Sequence, residues 1–583
     1  MKLNLLLLFV CLLGLELSSL AQIRSYRRLP DDPVIGVSLS NKWTVGVQSC
    51  KGAFEPVYTH AFLPNDDQVT KIEHLAMFGF DPSPGPATIR ITRKDGTVLS
   101  SSNAGLMNKT YEGVSVSYEA GAILIEVCQP MKQLSVRMTS DKANPLVIHA
   151  DPYDDPPIPA NAQVVTFDGG TDGKIHEQTA PYDRYSVPNN IDVIVIEDGA
   201  LFKGTIHTAS GRNKPLRIQG RGVIICRERS KPADNVKMQY NQLELNQGDN
   251  HRITGITLMN GRHFAARVSD NAYVQNVKFY GYRNNNDGIV AGDNSQIVNC
   301  FFKVNDDHIK LYNPGMQVRN CVFYHQKNGA IFQMAWNKIN PGNNCLVEYI
   351  EVIESEAGCG DPALNQGGIA RSFINHRESE ENGKVCANTT FRKVYIGGQM
   401  DRFICLNGYS FSPITYDNLQ LQDITLENPP NKVNWLYADN GNNTNTSIEI
   451  FFTNVRFGDR YIQQSDFKTL GTVNLSFDST GTAYQGNMNQ GEAACQSCDA
   501  TPIEPEQGHS IKLYPNPASG KLFFQTEGIK LEAATLTNTI GQAVYQLEPK
   551  EQYFSLDSIP AGIYNISLQL QDGSIYQQKV VVR

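Results

Sequence analysis

Three aspartates in the middle of the chain have a spacing that suits acid–base chemistry. Asp287 is followed 19 residues later by the adjacent pair Asp306 and Asp307. Carboxylates brought onto one patch repel one another, so at least one of their pKa values should rise. A carboxyl group that stays protonated near neutral pH can donate a proton, while an ionised neighbour accepts one. Because hydrolysis of a glycosidic bond needs such a pair, the three residues together are predicted to be catalytic.

Two other interpretations compete with this one. Aspartate is common in turns, and any one of the three taken alone is better explained as a turn residue. An acidic cluster also suits calcium. Lys310 argues against a bound metal, however, because its ammonium group follows the aspartate pair closely and would compete with the cation. We therefore expect neither a metal nor another cofactor at this site.

An internal repeat of about 22 residues supplies the elements that would bring the aspartates together. Its matched positions carry asparagine and, three residues later, phenylalanine: Asn276, Asn299, Asn320, Phe279, Phe302 and Phe323. A second short strand follows in each repeat, at 287–289, 307–309 and 329–331. This period predicts a right-handed parallel β-helix, in which matched residues on adjacent coils stack about 4.8 Å apart. Asp287 should then lie beside Asp307.

The segments around the repeat indicate an exported, all-β protein of several domains. Residues 1–21 combine a lysine, an apolar run and a small-residue cleavage site, which is typical of a signal peptide. The run is shorter than the ~20 residues that a membrane anchor needs. Residues 32–155 alternate apolar and polar positions and predict an antiparallel β-sandwich. Residues 160–481 would form the catalytic β-helix, and the polar residues 482–510 a linker.

The charge of the chain limits its partners. The net charge is −8 and no basic run stands out, so nucleic acid is not expected to bind. No stretch after the predicted signal peptide is long and apolar enough for a stable membrane span. We expect a soluble monomer whose partner is a polysaccharide substrate.

The cysteines suggest disulfides, as is common in exported proteins. Cys50 could bridge to Cys128 within the N-terminal unit. The Cys359 and Cys386 thiols flank a long insertion and could form a second bridge. A further pair, at 495 and 498, fits a small linker disulfide better than a metal or redox site, because no partner cluster lies near it.

The residues around the aspartates resemble glycoside hydrolase family 49, which contains the dextranases and isopullulanases. The resembling stretches are 286–289, 305–312 and 328–336, with weaker likeness at 199–204 and 218–222. The family's architecture, a β-sandwich followed by a β-helix, also matches the predicted domain order. The resemblance is weaker after residue 337. It therefore supports the predicted reaction more strongly than the predicted substrate.

The resemblance implies a role for each aspartate. Asp306 would be the general acid, while Asp287 and Asp307 would position and deprotonate water, giving hydrolysis of an α-glucan with inversion. Sugar contacts are expected from residues on or near the same coils: Lys310, Tyr312, Gln333 and Trp336. For Trp336 a buried position in the interior is an equal alternative. His308 is left open between structural and functional roles, and His325 is taken as structural.

The end of the chain resembles the type A sorting domain of the type IX secretion system of Bacteroidetes. Residues 511–583 carry its motifs in order, at 513–517, 541–542, 556–564 and 579–583. This resemblance implies a small β-sandwich, export across the outer membrane to the cell surface or medium, and removal of the domain. A carbohydrate-binding module is the alternative, but all three tryptophans of the chain lie upstream.

Three other functions remain possible on a β-helix. A polygalacturonase-like or galactan hydrolase would share the aspartates, but the Gly-His-Gly and Arg-x-Lys motifs that it would carry downstream of them are absent there. A polysaccharide lyase would need calcium ligands and a basic residue rather than an acid pair. A non-catalytic glycan-binding β-helix would not need the aspartate cluster.

Overall fold

The structure is a computed structural model that divides into two compact units, Met1–Cys498 and Asp499–Arg583. Strands dominate both units, and the described part of the chain also contains the short 3-10 helices Pro181–Asp183 and Gln464–Asp466. The predicted all-β class is confirmed. The description leaves out residues 1–22, 51, 65–71, 83–84, 143, 227–238, 284, 338–341, 357–370, 380–383, 407–413, 439–445, 487–511, 515–517, 519, 526–530, 538–542, 548–552, 558, 561, 571–574 and 583.

Twelve strands form two sheets at the start of the first unit. They are β1 (Ile23–Ser25), β2 (Val37–Leu39), β3 (Trp43–Ser49), β4 (Glu55–Val57), β5 (Thr59–Phe62), β6 (Glu73–Phe80), β7 (Ala87–Arg93), β8 (Ala104–Leu106), β9 (Val114–Glu119), β10 (Ala122–Val127), β11 (Lys132–Met138) and β12 (Leu146–Pro152). One sheet has the order β2-β5-β6-β12-β11-β8, with β1 beside β6, and the other has the order β4-β3-β7-β10-β9. Neighbouring strands are antiparallel, as predicted, except that β6 and β12 run parallel.

Alternation along these strands builds the core between the two sheets. In β7, Ile89 and Ile91 are buried in this core, while the residues between and after them are partly or fully exposed. β6 is instead buried along its whole length. Phe78 faces the core of the two sheets, whereas Leu75 and Met77 pack against the β-helix that follows. The sandwich and the β-helix therefore share an apolar interface.

The next thirty-one strands coil into a parallel β-helix. They are β13 (Val164–Phe167), β14 (Lys174–Glu177), β15 (Arg184–Val187), β16 (Val193–Ile196), β17 (Ala200–Lys203), β18 (Thr205–Thr208), β19 (Arg217–Gly220), β20 (Val223–Ile225), β21 (Leu243–Leu245), β22 (Arg252–Thr254), β23 (Thr257–Met259), β24 (Ala266–Val268), β25 (Tyr273–Gln275), β26 (Lys278–Tyr280), β27 (Ile289–Ala291), β28 (Gln296–Val298), β29 (Phe301–Lys303), β30 (Ile309–Lys310), β31 (Gln317–His325), β32 (Phe332–Asn337), β33 (Leu346–Ser355), β34 (Ser372–Ser379), β35 (Val385–Ala387), β36 (Thr390–Ile396), β37 (Arg402–Leu406), β38 (Thr415–Leu426), β39 (Asn434–Tyr437), β40 (Ser447–Phe457), β41 (Arg460–Tyr461), β42 (Phe467–Leu470) and β43 (Thr472–Asp478). Every third strand from β15 to β30, followed by β32, β34, β37, β39 and β42, belongs to an eleven-stranded sheet; the others form a continuous twenty-stranded sheet.

The predicted phenylalanine ladder lies in the interior of the β-helix. Phe279, Phe302 and Phe323 are fully buried. Their ring centroids are 4.4 Å and 5.0 Å apart, with interplanar angles of 3° and 8°. Stacked aromatic pairs contribute about 0.5–1.5 kcal/mol each beyond the burial of their area. The repeat found in the sequence is thus the coil-to-coil repeat of the fold.

The matched asparagines occupy one recurring bend. Asn276, Asn299 and Asn320 have φ angles of 55°, 55° and 52°. Asparagine enters this left-handed region more readily than most residues, which explains why it recurs here. The side-chain amide of Asn276 bonds the sandwich. Its Nδ2 donates to Asp151 Oδ1 over 2.8 Å, and its Oδ1 accepts from Gln133 over 2.9 Å.

The last repeat departs from the predicted register by one residue. Ile289 pairs with Ile309 as predicted, but Ile309 pairs with Phe332 rather than with Ile331. The turn before Phe332 is one residue longer than predicted, and Gly329 lies in this turn with a φ of 73°. A Cβ at this position would lie 2.1 Å from the carbonyl carbon of Asp306. Only glycine lets the longer turn pass this close to the preceding coil.

Two of the three disulfides proposed from the sequence are wrong. Cys128 is disulfide-bonded, but Cys50 forms no disulfide. Cys386 is buried as a free thiol and so does not pair with Cys359, which lies outside the described residues. Spacing along the chain does not determine whether two Cβ atoms approach closely enough for a bridge.

The second unit is a small module of seven strands. They are β44 (Lys512–Tyr514), β45 (Lys521–Gln525), β46 (Leu531–Thr537), β47 (Ala543–Leu547), β48 (Tyr553–Ser555), β49 (Gly562–Leu570) and β50 (Ile575–Val582). A three-stranded sheet has the order β44-β45-β48, and a four-stranded sheet has the order β47-β46-β49-β50. Leu522 and Phe554 of the first sheet share a buried core with Leu536 and Ile566 of the second.

Several predictions fall outside the described residues. They concern the signal peptide at 1–21, residues 487–510 of the linker, and the cysteines at 495 and 498. Within the described residues, we find no helix that combines the length and the apolar character needed to cross a bilayer.

Candidate active site

Two consecutive turns of the β-helix bring the three aspartates together. Asp287 lies two residues before Ile289 in β27, and Asp307 lies two residues before Ile309 in β30. Because Ile289 pairs with Ile309, these two aspartates hold matched positions on neighbouring coils. Asp306 precedes Asp307, and carboxylate oxygens of all three lie within 4.8 Å of one another. The predicted clustering is therefore present.

Lys310 lies inside the cluster and offsets part of its negative charge. Its Nζ is 2.6 Å from Asp287 Oδ1 and 2.7 Å from Asp307 Oδ2. Burial by itself would lower the pKa of a lysine, but these two carboxylates raise the pKa of Lys310 well above its ordinary value. The side chain thus stays protonated. A protonated ammonium group therefore lies against two of the three aspartates.

Asp306 is oriented by three N–H donors. Its Oδ2 accepts hydrogen bonds from the backbone N–H of Asn285 over 2.7 Å and from the side-chain amide of Asn328 over 2.9 Å. Its Oδ1 accepts a hydrogen bond from the backbone N–H of Asp307 over 3.1 Å. The carboxyl group is therefore held in one orientation beside the two aspartates that contact Lys310.

Burial raises the pKa values of two of the aspartates. Burial, followed by the charge of Asp307, raises the pKa of Asp306 to about 6. Burial also raises the pKa of Asp287 well above its ordinary value, and Lys310 opposes this effect. Because these carboxyl groups interact strongly, their protons are shared and their titration belongs to the cluster. A carboxyl group that titrates near neutral pH is suited to donate a proton.

The turn before Asp287 depends on two small or polar neighbours. The Oδ1 of Asn286 accepts hydrogen bonds from two backbone N–H groups earlier in the turn, both over 3.1 Å. A Cβ at Gly288 would lie 2.2 Å from the carbonyl oxygen of His308. Glycine is needed where two coils approach this closely. These contacts explain why asparagine and glycine flank Asp287 in the stretch 286–289.

Three of the four predicted sugar-binding residues join the aspartates. Lys310 Nζ donates to Gln333 Oε1 over 2.9 Å, and the hydroxyl of Tyr312 donates to the same oxygen. Lys310 pairs with Gln333 between β30 and β32, while the preceding Ile309 faces the interior. Lys310 and Gln333 therefore lie on the outer side of the sheet. Trp336 belongs to β32, but its side chain lies outside the described residues.

The aspartates are more enclosed than a patch on an open outer face would be. Asp306 is 8% exposed, Asp287 3% and Asp307 1%.

The two histidines near the cluster connect neighbouring coils. The His308 ring nitrogens lie 3.3 Å and 3.2 Å from the carbonyl oxygens of Ala330 and Tyr324. His325 Nε2 lies 3.1 Å from the carbonyl oxygen of Gly329. Burial lowers the pKa of His308 to about 3 and that of His325 to about 4. Both rings are therefore neutral at physiological pH and help to hold the coils that carry the site.

Sequence reasoning missed three residues that contact the cluster. Asn285 and Asn328 hold Asp306, as described above, and the half-buried ring of Phe264 lies 5.2 Å from Lys310 Nζ. The two asparagines could have been noticed, since each lies within or beside a stretch that resembled the glycosidase family. Phe264 precedes the clearest repeat and has no comparable signal in the sequence.

The C-terminal module matches a known family of export signals. Residues 512–583 match the family described as "Secretion system C-terminal sorting domain". This match agrees with the resemblance to the type IX sorting domain and marks the chain as one exported to the cell surface or secreted.

The first unit is similar to dextranases. A dextranase from Arthrobacter globiformis is 22% identical over 257 residues, which is 40% of this chain and 39% of the relative. A dextranase from Arthrobacter sp. strain CB-8 is 21% identical over 230 residues, which is 36% of either chain. The chain thus spans well under half the length of these curated relatives.

A solved structure shares the fold over most of the chain. Dex49A from Penicillium minioluteum superposes with a TM-score of 0.62 and 14% sequence identity, covering 79% of this chain and 100% of that one. The fold and the C-terminal module together define an exported β-helix protein with an N-terminal sandwich and a sorting domain. An enclosed carboxylate cluster lies on the β-helix.

Proposed function

We propose that the protein is a secreted glycoside hydrolase that cleaves an α-glucan in the manner of a dextranase. The observation that carries this proposal is the cluster of Asp287, Asp306 and Asp307 around one buried ammonium group. It contains a carboxyl group whose pKa is raised to about 6, Asp306, and two carboxyl groups in direct contact with the ammonium group of Lys310. The similarity of the first unit to dextranases supports the substrate class.

In the proposed mechanism Asp306 carries the proton of the cluster. The ammonium group of Lys310 contacts Asp287 and Asp307, and it opposes the rise in the pKa of Asp287 that burial causes. The pKa of Asp306 is raised by burial and by the charge of Asp307. Asp306 would therefore donate its proton to the oxygen of the departing sugar. Asp287 and Asp307 would orient a water molecule and accept its proton as it attacks the anomeric carbon.

The proposed outcome at the anomeric carbon is inversion. Inverting enzymes hold their carboxyl groups roughly 6.5–9.5 Å apart, and retaining enzymes roughly 5–5.5 Å apart. The closest oxygens of this cluster lie within 4.8 Å, and the proposal of inversion rests on the family resemblance rather than on this distance. Proton NMR of the first-formed anomer decides between them. A product that keeps the configuration of the substrate would overturn the inverting mechanism.

Three neighbouring residues are proposed to contact the sugar. Lys310, Tyr312 and Gln333 already form a hydrogen-bonded group on the outer side of β30 and β32. Such a preorganised group can exchange one of its internal hydrogen bonds for a sugar hydroxyl without a large rearrangement. The predicted contact from Trp336 is retained as part of this proposal.

A reducing-sugar screen tests the function. The purified full chain is incubated with dextran, pullulan, other α-glucans and galactans. We expect new reducing ends with at least one α-glucan and roughly 100-fold fewer or less with the Asp306→Asn variant. Asp293→Asn, which changes an aspartate just beyond β27 and outside the cluster, is the matched control. If the native chain cleaved only a galactan, the proposed α-glucan substrate would be wrong. If the native chain bound glycans without cleaving any, the proposal that it is an enzyme would be wrong.

A further inference from the structure

The sandwich contacts the coils that carry the candidate active site through one buried carboxylate. Glu73 stands at the start of β6 and is 1% exposed. Its Oε2 accepts a hydrogen bond from the hydroxyl of Tyr282 over 3.1 Å and pairs with the ammonium group of Lys303. Both partners belong to the β-helix and are also almost fully buried. This carboxylate is therefore shared between two consecutive coils.

These two partners stand at the beginnings of the two catalytic turns. Tyr282 follows β26 and opens the turn that ends at Asp287, and Lys303 closes β29 just before the turn that ends at Asp306. Glu73 thus joins the two coils on the side where their turns leave the shared sheet. A shift of either coil at this point would change the distance between the aspartates.

The turns are then linked to each other by hydrogen bonds. Asn305 Nδ2 donates to the carbonyl oxygen of Tyr282 over 2.8 Å. The backbone N–H of Tyr282 donates to Asn286 Oδ1 over 3.1 Å, next to Asp287. Asn285, in the same turn, donates its backbone N–H to Asp306. A continuous set of short contacts therefore leads from the sandwich to the carboxylates.

Lys303 also contacts the next coil, which carries Tyr324. Its Nζ lies 4.2 Å from the ring centroid of Tyr324. The carbonyl oxygen of Tyr324 lies 3.2 Å from His308 Nε2. The side-chain amide of Gln326 donates to the carbonyl oxygens of Gly281 and Lys303, over 2.7 Å and 3.1 Å. Three successive coils are thus held in one arrangement around Lys303.

We propose that Glu73 is a positioning residue for catalysis, so that the sandwich fixes the separation of the carboxylates in addition to stabilising the fold. This inference rests on the proposed function and names the element that controls the geometry of its site. Active sites tolerate little displacement, and a misplacement of 1 Å by a distant mutation can cost roughly 100-fold in rate.

The chain offers a matched control for this proposal. Asp32 of the sandwich forms the same kind of contact with Lys203 over 2.8 Å, with both side chains 8% exposed. Lys203 lies in the same row of the β-helix as Lys303, four coils earlier, which is about 19 Å at the usual spacing of strands. Asp32→Asn therefore breaks an equivalent buried pair far from the aspartates.

The experiment compares full chains carrying Glu73→Gln, Tyr282→Phe or Asp32→Asn. We expect Glu73→Gln to lower kcat on a cleaved glycan on the order of 10- to 100-fold with a nearly unchanged KM, because positioning affects the transition state more than binding. Tyr282→Phe, which removes only a hydroxyl, should lower kcat in the same direction by less. Asp32→Asn should lower the Tm comparably to Glu73→Gln and keep kcat.

A second readout separates this inference from the proposed function. The titration of Asp306 is followed by carbon NMR of labelled aspartate, assigned with Asp306→Asn. Glu73→Gln should shift that titration, and Asp32→Asn should leave it in place. If the native chain cleaves no glycan, the proposed function is wrong. The titration of Asp306 alone then tests whether Glu73 positions the carboxylates. Equal kcat and an unmoved Asp306 titration in folded Glu73→Gln and Tyr282→Phe chains would overturn it.

Discussion

The side-chain amide of Asn328 donates a hydrogen bond to Asp306 Oδ2 over 2.9 Å from the next coil of the β-helix. A donor to a carboxylate favours its ionised form and lowers its pKa. We therefore expect Asn328 to oppose the rise in pKa that burial and Asp307 impose on Asp306, as Lys310 and the backbone N–H groups of Asn285 and Asp307 do. The acid of the proposed mechanism is thus tuned by a residue that the sequence did not single out.

Asn328→Ala should move the alkaline limb of the pH profile of kcat to higher pH. The acid must be protonated to act, so activity falls as pH rises through its pKa, and loss of the donor raises that pKa. The measurement is kcat against pH on a cleaved glycan, with Lys327→Ala, at the exposed neighbouring position, as control. A limb that stays in place or moves to lower pH would contradict the role of Asn328.

The stability of the chain should depend on the ionisation of Asp306. Its pKa is about 6 in the folded chain, above the ordinary value of 3.8. The folded state therefore binds the proton more tightly than the unfolded state does. The contribution of this carboxyl group to the free energy of unfolding is fully present below pH 3.8 and is lost as the pH rises through about 6. Asp306→Asn should raise the stability at pH 7 by about 1–3 kcal/mol and change it less at pH 4.

Denaturant unfolding at the two pH values checks this prediction. Asp168→Asn is the control, because the pKa of Asp168 is lowered by Lys174 and its ionisation should not oppose folding at pH 7. An Asp306→Asn chain that is equally or less stable than the native chain at pH 7 would show that the Asp306 carboxylate is not strained by burial.

Lys310→Met should abolish most of the activity. Without the ammonium group, Asp287 and Asp307 lose their direct cationic contact, and the pKa of the base should rise. Since the base must be ionised, the acidic limb of the residual activity should move to higher pH. We expect a loss of roughly 100-fold or more at neutral pH, as for removal of a preorganised charge.

Lys203→Met provides the comparison for this variant. It removes another buried lysine that pairs with an aspartate, at a distance of 2.8 Å, but outside the cluster. Its kcat should remain close to that of the native chain. If Lys310→Met kept native turnover and an unmoved acidic limb, the ammonium group would not control the base.

The C-terminal module should be absent from the mature exported protein. Residues 512–583 match a family of sorting domains, so their deletion should block export while the remaining chain keeps its activity after purification from cells. Mass spectrometry of the secreted protein and a reducing-sugar assay of the truncated chain check the two parts. Loss of activity in a folded truncated chain would point to a binding or catalytic role for the module.

The sequence was sufficient for the part of the site that follows the repeat. Asp287 and Asp307 each lie two residues before a matched isoleucine, and pairing of Ile289 with Ile309 brings them together. The next coil was misaligned by one residue, because the turn at Gly329 depends on a close backbone approach that no period reveals.

Contacts between distant segments could not be predicted in the same way. Glu73 and Lys303 meet only because the sandwich packs on the β-helix, and they are 230 residues apart in the chain. Neither residue type nor spacing marks them as partners. The prediction of a bridge between Cys359 and Cys386 failed for the same reason, since Cys386 lies buried as a free thiol.

The most direct test of the account is the turnover of Asp306→Asn on two substrates. Loss of a general acid typically costs roughly 100- to 10,000-fold in rate when the leaving group needs a proton. We predict a loss of that size on the natural glycan and a much smaller loss on an activated aryl glycoside, whose leaving group needs little protonation. Asp287→Asn and Asp307→Asn should impair both substrates alike, because each still requires attack by water. Near-native turnover of the natural glycan by Asp306→Asn would contradict the assignment of Asp306 as the acid.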